Sequence, residues 1–189
     1  MKLARPLGIA IVVLLALTAF IVTTGTAMAQ EVQWQRIIGI QVGGNVVGSG
    51  TGKVTGAAPW QTTRGAAEVD LSQGEAKFFV QGLILSVGSF STLSGLPIGT
   101  PAGVTEVKGT LVCNVSGSTN SGNSVLIDTP VVPLDSQGNA FFRGDLTSTP
   151  PSVCGTVTDD AFLIRIVKPA AFNNFWIAFG AVQSVENQD

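Results

Sequence analysis

The stretch Glu106-Val107-Lys108-Gly109-Thr110-Leu111-Val112-Cys113-Asn114-Val115 decides the fold class. Val107, Gly109, Leu111, Cys113 and Val115 alternate with Glu106, Lys108, Thr110, Val112 and Asn114. Successive side chains of a strand point to opposite faces, so the first set is expected to face a core and most of the second set water. Glu75-Ala76-Lys77-Phe78-Phe79-Val80-Gln81 alternates in the same way, and Gly82 permits a bulge or kink before Leu83-Ile84-Leu85. Residues 161–167 and 175–182 are nearly continuous apolar runs, which read as central strands covered on both faces. Arg165 is the one charge inside the first of them. It is expected to point outward or to pair with a carboxylate such as Asp159 or Asp160.

Turn residues separate these runs. Ser94-Gly95-Leu96-Pro97-Ile98-Gly99-Thr100-Pro101 reads as a long turn. Residues 116–123 contain only Ser, Gly, Thr and Asn and read as a flexible hairpin tip, and residues 147–151 as a further loop. No stretch of ten or more residues has a convincing 3.6-residue period. The expectation is an all-β domain, an antiparallel β-sandwich of roughly eight to ten strands, with a β-barrel as the alternative. Ser72-Gln73-Gly74 before Phe78-Phe79 echoes Ser136-Gln137-Gly138 before Phe141-Phe142, with Asp70 and Asp135 preceding. We read this as one turn-strand element used twice, glycine supplying the positive φ.

Residues 1–29 read as an address. Lys2 and Arg5 precede an uncharged apolar run over residues 7–22, and Ala27-Met28-Ala29 offers a cleavage site before Gln30. This is the pattern of a secretory signal peptide removed after Ala29, leaving residues 30–189 as a single β domain. The competing reading is an uncleaved anchor. Cys113 and Cys154 are the two cysteines. In an oxidising compartment such a pair defaults to a disulfide, and closing about forty residues stabilises by roughly 4 kcal/mol in the loop-entropy model.

Composition narrows the chemistry. Charged residues make up 12% of the chain, about half the usual quarter. Ten Lys and Arg against twelve Asp and Glu is too balanced for a nucleic-acid partner. Histidine and tyrosine are both absent. That removes Ser-His-Asp and Cys-His catalysis and histidine-ligated metals. No pattern calls for a cofactor, and neither Asp159-Asp160 nor the Asp135 turn has the spacing of a calcium loop.

The remaining motifs are weighed one by one. Gly48-Ser49-Gly50-Thr51-Gly52-Lys53-Val54 ends like a phosphate-binding loop, but Val47 and Val54 stand where that loop needs Gly and Ser or Thr. A small-residue strand or loop is the expectation. Arg143-Gly144-Asp145 is expected to be incidental, at the end of a strand. Asn114-Val115-Ser116 is a glycosylation sequon in a eukaryotic source, with Asn114 expected to face outward. Glu68 with Asp70, and Asp159 with Asp160, are the carboxylate pairs a glycosidase would need, and both are expected to be solvated. Lys53, Lys77 and Lys108 are expected on polar strand faces. Trp176 reads as core. Trp60 reads as a loop residue that either plugs the end of the fold or, with Trp34, offers a ligand contact.

The segments Pro133-Leu134-Asp135-Ser136-Gln137-Gly138-Asn139-Ala140-Phe141-Phe142, Ala161-Phe162-Leu163-Ile164-Arg165-Ile166 and Phe175-Trp176-Ile177-Ala178-Phe179-Gly180-Ala181 resemble a family of small exported bacterial β proteins without an assigned activity. The resemblance implies export and a β fold and carries over no catalytic residue. Three functions remain open: an exported non-catalytic protein with a structural, surface or binding role, a carbohydrate-binding module, and a carboxylate-dependent hydrolase. The partner stays open between a glycan and a protein, and no membrane attachment is expected once the leader is removed.

Overall fold

The computed structural model describes residues 30–86, 95–155 and 159–187. The expected leader and its cleavage before Gln30 concern residues 1–29 and lie outside the described residues. The strands are β1 (Gln30–Gly39), β2 (Val46–Val47), β3 (Val54–Thr55), β4 (Trp60–Gln61), β5 (Arg64–Asp70), β6 (Glu75–Gln81) and β7 (Ile84–Leu85). They continue as β8 (Glu106–Cys113), β9 (Val125–Asp128), β10 (Val132–Pro133), β11 (Ala140–Asp145), β12 (Ala161–Lys168) and β13 (Trp176–Asn187). The helical segments bounded among the described residues are 3-10 turns of three or four residues. The fold is all-β, as the period-two patterning predicts.

Nine strands form one antiparallel sheet in the order β10-β8-β12-β13-β1-β5-β6-β11, with β9 also paired to β8. β9 and β10 run along β8 as two pieces of one bent strand, bridged where Thr129 N donates to Gly109 O at 2.9 Å. The sheet curls into a half-barrel whose end strands β10 and β11 approach each other without pairing. Asp135 N donates to Asn139 O at 3.0 Å in the turn that leads from β10 to β11, and Thr147 N donates to Asp128 O at 2.8 Å. This half-barrel is compatible with both the sandwich and the barrel expected from sequence.

The inside of the curl is filled by aromatic rings. Trp34 and Phe162 have centroids 5.5 Å apart, Phe162 and Phe78 5.8 Å, and Phe78 and Phe142 6.0 Å. Two glycines make room for them. A Cβ on Gly109 would lie 2.5 Å from Phe162 Cζ, and one on Gly180 would lie 2.4 Å from the Trp34 ring. The echoed elements are neighbours: β6 pairs with β11, with Phe78 opposite Phe142 and Phe79 opposite Phe141. Each copy turns on a positive-φ glycine, Gly74 or Gly138. In each, an aspartate accepts backbone N–H groups: Asp70 from Ser72 and Gln73, Asp135 from Gln137 and Asn139. One turn-strand element is used twice, as expected.

The central strands are covered on both faces, and this corrects three expectations. In β8 the set expected to meet water includes Thr110 and Val112, both fully buried. Segment 40–60 packs against Trp176 at the start of β13, whose indole Nε1 donates to Asn45 O at 3.2 Å. Gly56 bridges to Trp176, and Ala57 N donates to Trp176 O at 2.9 Å. Gly50 and Gly52 lie so close to Asn123 and Ser124 that a Cβ would collide, so the glycine-rich loop serves packing, as its small residues suggest. Arg165 is buried and pairs with Asp128 at 3.2 Å, not with Asp159 or Asp160. It also donates to Asn174 Oδ1 at 2.9 Å. Burial draws its pKa downward while Asp128 opposes the shift. Lys108 joins the same carboxylate at 2.6 Å and is largely withdrawn from water, whereas Lys53 and Lys77 stay exposed as expected.

Cys113 and Cys154 form a disulfide, buried, with Cα atoms 4.9 Å apart. It ties the end of β8 to the 3-10 turn Ser152–Gly155. Replacing both cysteines with alanine should lower the unfolding free energy by roughly 4 kcal/mol in urea titration. Gly109→Ala should cost about 1–3 kcal/mol by overpacking the Phe78–Phe162 contact, with the transition slope unchanged. A neutral Gly109→Ala would show that the rings can move aside.

Candidate functional site

The outward face of β1, β5, β6 and β11 is built by register. Glu31 pairs with Asp70, Asp70 with Glu75, and Glu75 with Asp145, so these four carboxylates form one row across the sheet. The next row along the strands is Gln33, Glu68, Lys77 and Arg143. Ala66, Phe79 and Phe141 make the third, and Arg64 and Gln81 the fourth. Residues two apart on a strand share a face, which is why the rows stack without a break. In β1 both Gln35 and Arg36 are exposed, and Arg36 lies beside Arg64 along one cleft.

Phe141 is the centre of interest. It is 66% exposed, the highest value among the large hydrophobic residues described. Half-buried Phe79 stands opposite, and the Arg64 guanidinium lies over the Phe79 ring, 5.9 Å from its centroid. Three recesses meet at Phe79. One of about 580 Å³ is bounded by Phe79, Gln81, Pro133, Asp135, Asn139 and Phe141. A second, about 150 Å³, runs between Gln33, Glu68, Lys77, Phe79 and Phe141. A third, about 330 Å³, is edged by Gln35, Arg36, Thr62 and Arg64. The charged rows line a fourth cleft of about 350 Å³ with Glu31, Glu68, Asp70, Glu75, Lys77 and Arg143. An aromatic strip ringed by amides and flanked by opposite charges can stack on a flat apolar partner and hydrogen-bond its edges.

The residues singled out from sequence fall elsewhere. Trp34 and Trp60 are each 2% exposed. Trp34 belongs to the aromatic core, and Trp60 sits in the short strand β4, paired with Leu85. Neither presents a ring to a ligand, so the exposed aromatic face is formed by the phenylalanines. Trp176 is core, as expected. Arg143-Gly144-Asp145 occupies the last three positions of β11, at a strand end as expected. Asn114 is buried, which corrects its expected outward position. Its Nδ2 donates to Thr119 O and Asn123 O, each at 2.9 Å, and its Oδ1 accepts from Thr119 N at 3.0 Å. These bonds hold the 116–123 segment, read from sequence as a flexible tip, and leave no room for a glycan on that nitrogen.

The carboxylate pairs differ from one another. Glu68 forms an ion pair with Lys77. Asp70 accepts from the Ser72 hydroxyl and from two backbone N–H groups, and its pKa lies below the ordinary value despite partial burial. Asp159 accepts from Ser116 N at 2.8 Å and Ser116 Oγ at 2.7 Å. Asp160 corrects the expectation of a solvated pair, being 6% exposed. Its Oδ1 accepts from Asn114 N at 3.3 Å, and its Oδ2 has no hydrogen-bond partner among the described residues. Burial, aided by the charge of Asp159, pushes its pKa up to about 7 against the N–H bond from Asn114. Asp160 lines none of the four clefts described above. Among the described residues no group of acids and cysteines is arranged to hold a metal ion.

A carboxyl whose pKa is raised in the folded state favours the protonated fold. Its contribution is fully present below about pH 4 and lost as pH rises through 7. Asp160→Asn should therefore raise the melting temperature by several degrees at pH 8 and by less at pH 5. Calorimetry of both proteins across that range checks it. An equal gain at the two pH values would mean that Asp160 is already ionised at pH 5.

Compared with known proteins, the chain matches no family model, no curated protein and no solved structure.

Proposed function

We propose that this is an exported, non-catalytic β-domain protein that acts by binding, through the outward face of β1, β5, β6 and β11. The observation that carries this is the exposure of Phe141 beside Phe79, at the meeting point of three recesses. Leaving so large an apolar side chain in water is unfavourable by about 1.5–3 kcal/mol relative to covering it, so a partner that covers it gains that amount. Export is supported by the leader-like residues 1–29 and by the disulfide, which fits an oxidising compartment. A non-catalytic role is supported by the engaged state of Glu68, Asp70 and Asp159.

A second reading, a carbohydrate ligand, is favoured by the amides of Gln35 and Gln81 beside Phe79. They could bond hydroxyls while the ring stacks on a sugar face. The first expected outcome is that Phe141→Lys weakens binding at least tenfold with an unchanged melting temperature. Binding would be read on cellulose, chitin and xylan and on immobilised copies of the protein itself. Asp160→Asn should leave binding unchanged. Turnover of a glycan or peptide by the purified domain that collapses in Asp160→Asn, with the fold intact, would move the reading to a hydrolase.

A further inference from the structure

We infer that the face of β1, β5, β6 and β11 is self-complementary and that its partner is a second copy of this chain, packed face to face about a two-fold axis. The inference rests on the binding role proposed for that face and names its occupant.

Charge geometry selects the packing. Along the strands the rows read acidic, mixed, aromatic, basic: Glu31, Asp70, Glu75 and Asp145 at one end, Arg64 and Arg36 at the other. A two-fold axis lying in the interface and crossing the strands between the second and third rows reverses this order in the second copy. Each strand then lies on its own symmetry mate. Asp70 meets Arg64 of the other copy, and Glu31 meets Arg36. Lys77 comes over Phe79 and Arg143 over Phe141, two cation–π contacts, each repeated by symmetry. The other in-plane axis, along the strands, sets the acidic row against itself, with Glu31 facing Asp145, and is rejected by repulsion. One axis therefore satisfies the aromatic strip and the charges of β1 and β5, while Glu75 and Asp145 come toward Gln81 and the Asp135–Asn139 turn.

Area sets the strength. Four strands about 4.8 Å apart and four rows about 6.8 Å apart cover roughly 19 by 27 Å, on the order of 500 Å² of sheet plane. The sheet curls away beyond β1, and β11 is its edge. That is smaller than the roughly 800 Å² per partner of a standard interface, so the dimer belongs to the weak, salt-sensitive class.

The test is sedimentation equilibrium of the full exported protein from 5 μM to 1 mM, at 25 mM and 500 mM NaCl. The expected result is a monomer–dimer equilibrium whose dissociation constant rises at least fivefold at high salt. Glu31→Arg and Arg36→Glu, each alone, set like charges opposite each other and should be monomeric. Mixed one to one, they should dimerise again, because each now faces its opposite. Circular dichroism confirms that both variants are folded, and Phe141→Lys, at an exposed position, supplies an independent disruption. A monomeric protein at 1 mM and low salt overturns the proposal, as do dimers that ignore both charge variants. A monomer that binds xylan or cellulose in a Phe141-dependent way overturns self-association but keeps the binding face. A monomer that binds neither itself nor those polysaccharides loses both.

Discussion

Everything in this fold depends on the aromatic chain Trp34–Phe162–Phe78–Phe142 inside the curl. A single sheet must bury one face against itself, and it can do so only by bending. The rings set the radius of that bend. Gly109 and Gly180 are the places where the backbone gives way to them. A wider curl would leave voids around the rings, and a tighter one would overlap them, so the interior is determined by a few large side chains rather than by many small ones.

The second consequence is asymmetry. On the β8, β12 and β13 side, segment 40–60 packs on Trp176, Asn174 closes on Arg165, and Thr110, Arg165 and Val112 are buried. Buried Arg165 is tolerable because Asp128 and Asn174 receive its donors. On the β1, β5, β6 and β11 side no described segment covers the face, and Phe79 and Phe141 meet water with charged residues around them. The two sides carry their charges differently for that reason: gathered into the Arg165–Asp128–Lys108 cluster on the first, exposed in rows on the second.

This asymmetry also explains which features were legible in the sequence. Period-two alternation over residues 75–81 and 106–111 gave the strands, and the continuous runs gave the doubly covered ones. The cysteine pair and the repeated turn were readable because their chemistry is local. Alternation could not tell that Val112 and Asn114 are buried, since burial there depends on residues distant in sequence, such as Asp160 beside Asn114 and Ser49 beside Ser124. Arg165 finds Asp128 rather than Asp159 or Asp160 because β8 stands between β9 and β12 and brings Asp128 within reach across it, a pairing that no spacing reveals. Tryptophan drew attention as the usual exposed aromatic, yet its size makes it the better filler of the curl. The signal for Phe79 and Phe141 was present in the echo, where one phenylalanine of each adjacent pair must point outward.

β1 pairs with β13 along nearly its whole length, from Gln30 opposite Asn187 to Gly39 opposite Ala178. The first and last described strands are thus central neighbours in one sheet. Contacts of such large sequence separation close late and make folding slow, because chain entropy must be lost before they form. A chain made N-terminus first holds β1 without its neighbour until β13 has followed, so the sheet cannot close before nearly all of its strands are available.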